Sequence, residues 1–161
     1  ALDDEAFRAD GVRFGKGLQL INILRDLPQD LQAGRCYLPL DELKREGLTP
    51  ADLLDPTQEA RLRPIYDRWL QQAESHLVAG WNYVLSIPRG QIRVRLACAW
   101  PILIGIQTLV RLRQPGVLNA RHRVKISRTD VRSILWATIW RLPFRRQWEG
   151  LFESMKTSRD S

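Results

Sequence analysis

Apolar side chains recur along this chain at helical spacing. Between residues 17 and 32, Leu20, Leu24, Leu27 and Leu31 collect on one face of a helix at ~100° per residue. Residues 57 to 85 repeat the pattern with Leu62, Ile65, Trp69, Ala73, Leu77 and Val84, which predicts a long amphipathic helix turned toward a core. Pro64 interrupts an early turn of it, and Ile87-Pro88-Arg89-Gly90 ends it. Residues 91 to 113 form the most apolar helix. Its run LACAWPILIGIQTLV (96 to 110) is shorter than the ~20 residues of a membrane span, so it reads as a buried core helix. Ala97, Ala99 and Gly105 leave room there for a ligand tail or for a neighbouring helix, and Gln107 is a polar candidate for a pocket.

The punctuation between these patterns is equally local. The acidic stretch DDEAFRAD at 3 to 10 suits a helix start. Gly11, Gly15 and Gly17 then mark either close helix contact or a break. Ala33-Gly34 stops the first patterned helix, Pro39 opens a short one closed by Gly47, and Thr49 caps the turn TPADLL. Ser127, with Asp130 three residues on, caps a helix that leads into WATIWRLPFRRQWEGLFESMK. That last stretch suits a helix docked on the core or one lying on an anionic membrane surface. The expectation is one all-α domain over residues 1–161.

The other face of the 17–32 helix is polar in an unusual way. Gln19, Asn22, Asp26 and Asp30 fall within an arc of roughly 80°. No lysine lies on this stripe. Carboxylates and carboxamides are hard oxygen donors, suited to a cation such as Mg2+ that keeps water and shares its other positions with phosphate. A solvated acidic face would read the same way from spacing alone. Pro28 stands between the two aspartates and cannot donate the hydrogen bond that the Leu24 carbonyl would receive, so a kink is expected there.

Composition narrows the partners. The net charge is +7, with clustered arginines, and suits nucleic acid, anionic lipid headgroups or a polyanionic small molecule. No helix-turn-helix, zinc-finger or RNA motif is visible, so nucleic acid is not expected. Cys36 and Cys98 form no CxxC pair and read as reduced thiols. His76 and His122 are too few for a histidine-rich zinc site.

QLINILRDLPQD followed by GRCYLP resembles the second aspartate-rich motif and flap of the squalene and phytoene synthase family. The resemblance rests on the ladder Gln19, Asn22, Asp26, Asp30, then Gly34-Arg35, Tyr37 and Leu38-Pro39; VKISRTDVRSIL adds a likeness to squalene synthases. It implies an isoprenoid synthase-type helical bundle joining two farnesyl or geranylgeranyl diphosphates head to head through a cyclopropyl (presqualene-type) diphosphate. It implies Asp26 and Asp30 as catalytic residues that hold Mg2+ with Asn22. Gln19, Arg35, Tyr37, Lys125 and Arg128 become substrate contacts, although Tyr37 could simply pack and Lys125 and Arg128 equally suit a solvated basic patch. Squalene-type chemistry adds NADPH. A cytoplasmic location, peripheral to the inner face of the membrane, follows from a lipid substrate.

Two departures qualify that resemblance. Family members usually carry Glu before the last aspartate; Gln29 stands there. The resemblance spans about residues 10 to 140 and corresponds to the C-terminal part of a family enzyme. The first aspartate-rich motif has no counterpart, since Asp3 and Asp4 lie too near the second one. The expectation is therefore a chain that does not turn over farnesyl diphosphate alone, and that works with a complementary N-terminal half, as a homo-oligomer, or as a helical partner module.

Overall fold

The computed structural model describes residues 4–120 and 124–157. It is all-α, with no strand among the described residues. In chain order the helices are α1 (Asp4–Gln32), α2 (Leu40–Arg45), α3 (Glu59–Ser86), α4 (Ile92–Leu112), α5 (Arg128–Arg141), α6 (Arg145–Glu149) and α7 (Leu151–Thr157). Two short 3-10 turns, Asp52–Leu54 and Pro56–Gln58, lead into α3.

The helix α1 runs unbroken past Gly11, Gly15 and Gly17 for 29 residues. Tertiary packing overrides the weak helix propensity of glycine there. Phe7 stacks on Tyr83 at 4.3 Å while Leu24 meets Tyr66, so α1 and α3 are antiparallel. α4 packs on both, and Gly105 marks the tightest meeting of the three. A Cβ at Gly105 would lie 3.0 Å from Ile21 Cδ1 and 3.3 Å from Leu77 Cδ1. The room left by that small residue is thus taken by neighbouring helices rather than by a ligand tail.

The α1 face that packs inward carries Ile21, Leu24, Leu27 and Leu31; Leu20 is only half-buried. In α3, Leu62, Ile65, Ala73, Leu77 and Val84 are buried as the spacing predicts, with Tyr66, Leu70 and Trp81 added and Trp69 partly exposed. α4 is 21 residues long and, by length and composition, apolar enough to cross a membrane. That is longer than its apolar run suggests, yet Ala99, Ile102, Leu103, Ile106 and Leu109 are buried against the other helices. Gln107 is no pocket residue: its Nε2 donates to the Met155 carbonyl at 2.7 Å and ties α7 to α4. Glu74 of α3 adds ion pairs to Arg113 and to Lys156 (2.7 Å) at the same junction.

The C-terminal stretch divides. Trp148, Leu151 and Phe152 are buried. On α5, Ile134 and Thr138 face inward, whereas Trp136 and Trp140 are 69% and 77% exposed. The Ser127–Asp130 capping box is present at the start of α5. Arg121, His122 and Arg123 lie outside the described residues.

Candidate functional site

The polar stripe of α1 stands opposite its buried leucines, as helix geometry requires. Gln19 and Asn22 are exposed; Asp26 and Asp30 are half-buried. The two carboxylates are ~6 Å apart along the axis, one turn, at ~1.5 Å per residue. Each is met by a guanidinium. Arg25 donates from Nε (3.0 Å) and Nη2 (2.8 Å) to the two oxygens of Asp26, a bidentate pair. Arg35 donates from Nε (3.2 Å) and Nη2 (2.9 Å) to Asp30 Oδ1. Hydrogen bonding to these carboxylates holds both arginines above the ordinary guanidinium range.

The Arg35 pair follows from how α1 ends. Gly34 adopts φ +74°, the left-handed conformation that glycine takes without a Cβ clash. The Arg35 amide then bonds back to the Asp30 carbonyl (2.8 Å) and the Gly34 amide to the Leu31 carbonyl (3.0 Å). This is a Schellman turn, and it folds the chain back so that the side chain of Arg35 reaches Asp30. The flap segment then continues outward: Tyr37 is 55% exposed and Leu38 is buried. Tyr37 therefore does not pack into a pocket.

Pro28 does not break α1. The Leu24 carbonyl that it leaves without a helical donor accepts a hydrogen bond from the Tyr66 hydroxyl at 2.9 Å, in the fully buried interior. Burial pushes the Tyr66 phenol far above its ordinary value, so it remains a donor throughout the physiological range. The register of Asp26 and Asp30 across the proline is thus supported from α3. Pro28 marks the orphaned carbonyl in the sequence, but no sequence signal points to its partner, 42 residues away.

Gln29 has a structural reason. Its Nε2 donates to the Ala120 carbonyl at 3.4 Å, while its Oε1 is buried without a partner. A glutamate there would turn a charge toward a carbonyl oxygen. Lys125 and Arg128 are exposed at the start of α5, and their side chains make no ion pair among the described residues. The Lys125 carbonyl accepts from Arg111, which also pairs with Asp130 at 2.5 Å. No described hydrogen bond brings Lys125 or Arg128 to the α1 aspartates.

Residues 2–130 match the family model described as squalene/phytoene synthase. The chain belongs to the squalene/phytoene synthase family. Its membership accounts for the all-α architecture, an isoprenoid synthase-type fold. It is 35% identical over 127 residues to the presqualene diphosphate synthase of Zymomonas mobilis, covering 78% of this chain and 40% of that protein. Similarity to the 15-cis-phytoene synthase of Enterobacter agglomerans is 39% over 88 residues, 55% of this chain and 28% of that one. With the 15-cis-phytoene synthase of Synechocystis it is 28% over 121 residues, 71% of this chain and 34% of the relative. The chain thus spans well under half the length of these relatives. No solved structure matches it significantly.

The family acts on prenyl diphosphates, head to head. A divalent cation there needs oxygen ligands, and this face offers two carboxylates and the Asn22 carboxamide. Among the described residues no group of three or more His, Cys, Asp or Glu is placed to hold a metal. The donor set fits an ion that keeps most of its water or shares phosphate oxygens, and does not fit one caged by protein alone.

Proposed function

We propose that the α1 face of Asn22, Asp26 and Asp30 is one wall of a prenyl diphosphate site, holding Mg2+ jointly with the diphosphate. The observation that carries this reading is the pairing of each aspartate with an arginine on its own segment. A cation taking the carboxylates displaces Arg25 and Arg35, and both guanidiniums then stand beside the same face with donors for phosphate oxygens. Bound Mg2+ would polarise the leaving diphosphate as a Lewis acid. Gln19 flanks the wall, Tyr37 sits on the flap beyond Arg35, and Lys125 and Arg128 supply further positive charge at the start of α5.

The reading extends to farnesyl diphosphate and the presqualene-forming condensation. Support comes from the Zymomonas relative, which is 35% identical over 78% of this chain. On this reading the chemistry ends at the cyclopropyl diphosphate and NADPH has no role. Condensation also requires a second aspartate wall facing the first, and the described residues hold no second carboxylate cluster. A complementary segment or subunit supplies it. The exposed indoles of Trp136 and Trp140, beside Arg132, support a peripheral contact with an anionic leaflet on the cytoplasmic side.

Titration of the chain with farnesyl diphosphate, with and without Mg2+, tests the wall. Binding that appears only with Mg2+, and no condensed product in the extract, is the expected result. Affinity indifferent to Mg2+ contradicts it.

A further inference from the structure

A second cluster of charge lies at the opposite end of the bundle. Asp26 lies near the C-terminal end of α1. The end that stacks on Tyr83 through Phe7 is ~28 Å away along the helix, at ~1.5 Å per residue. There the end of α3, the start of α4 and the α5–α6 junction enclose a cavity of about 400 Å3 lined by Leu85, Arg89, Arg95, Pro143, Arg145 and Trp148, among others. Arg95 is 7% exposed, yet its Nε is buried without a hydrogen-bond partner. Its guanidinium lies over the Trp148 ring, 5.4 Å from the centroid. The indole Nε1 of Trp148 is also buried without an acceptor.

Two side chains that line one cavity thus each carry a buried donor without a partner, which is costly because each has given up water without a replacement. The nearest carboxylate does not repair this: Glu149 lines the same cavity but is paired with Arg145 at 2.7 Å. Arg89 adds a third guanidinium. Burial, and next the charge of Arg89, depress the Arg95 guanidinium below its ordinary range, in contrast to Arg25 and Arg35. The wall residues 142–149 lie beyond the residues that match the family model, which end at 130.

We infer that this cavity is a second anion site, which takes a phosphate-bearing ligand on Arg95, Arg89 and the Trp148 indole. Leu85 and Pro143 offer apolar wall to a hydrocarbon tail beside the head. A free phosphate and a phospholipid headgroup present the same oxygens, and the test separates them.

The indole Nε1–H resonance of Trp148, assigned with Trp148→Phe, is followed in the chain during two titrations. One uses inorganic phosphate; the other compares phosphatidylcholine vesicles with and without phosphatidic acid. A saturable shift with phosphate marks a free anion as the ligand. A response only to vesicles with phosphatidic acid marks a headgroup. In either case Arg95→Gln weakens the response about tenfold or more, as loss of a charge-assisted donor does. Arg89→Gln, on an exposed side chain, weakens it several-fold and decides the matter if circular dichroism shows Arg95→Gln unfolded. No saturable response in either titration overturns the inference. So does an equal response to neutral vesicles, or wild-type affinity in the folded variants.

Discussion

The two ends of this bundle treat their charged groups in opposite ways. At the aspartate end the half-buried carboxylates and the backbone gap made by Pro28 are met from within: Arg25 on Asp26, Arg35 on Asp30, the Tyr66 hydroxyl on the Leu24 carbonyl, with only the neutral Gln29 Oε1 left unmet among the described groups of that face. At the arginine end, Arg95 Nε and Trp148 Nε1 are buried and unmet. Internal pairing keeps a surface in shape and lets a cation exchange for a guanidinium. Unmet donors keep nothing in shape; they are a cost that a ligand's oxygens would relieve. The first pattern lies in the family-matched residues, whereas the wall of the second is completed outside them.

This contrast predicts unequal responses to mutation. Tyr66→Phe should cost about 1–3 kcal/mol in urea unfolding, because it strands a buried carbonyl. An unchanged midpoint would mean that Pro28 is accommodated in some other way. Gln29→Glu should cost about 1 kcal/mol or more, by losing the bond to Ala120 and turning a charge toward its carbonyl. An unchanged unfolding midpoint would mean that this contact holds nothing in place. Arg95→Met should cost less than about 1 kcal/mol in the same unfolding experiment, since removing a buried charge with an unpartnered Nε offsets the lost contact with the Trp148 ring and the packing of the stem is kept. A clear loss there would make Arg95 a structural residue and remove the contrast.

Much of the aspartate end is legible in the sequence because its signals are local. The glycine stop at Gly34, the Ser127–Asp130 box and the arc of Gln19, Asn22, Asp26 and Asp30 depend on a few consecutive residues and on helix geometry. What packing decides is not legible. α1 passes through three glycines because α3 lies alongside, and Ile21 rather than Leu20 completes its buried face. Gln107 serves α7 rather than a pocket, and Tyr66 serves Leu24 across 42 residues. Nor does spacing reveal that Arg35, read as a phosphate ligand, rests on Asp30. The arginine end gives no sequence signal, because its walls come from α3, α4 and the α5–α6 junction, which meet only in the fold.

The most direct measurement is calorimetric titration of Mg2+ and inorganic pyrophosphate into three chains: wild type, Asp26→Ala and Asp41→Ala. Asp26 lies on the proposed wall; Asp41 is an exposed carboxylate on α2, paired with Arg45 four residues on. The wild type and Asp41→Ala should bind the magnesium–pyrophosphate complex alike, and Asp26→Ala should bind it about tenfold or more weakly. Equal binding by all three would contradict the assignment of this face as a diphosphate wall.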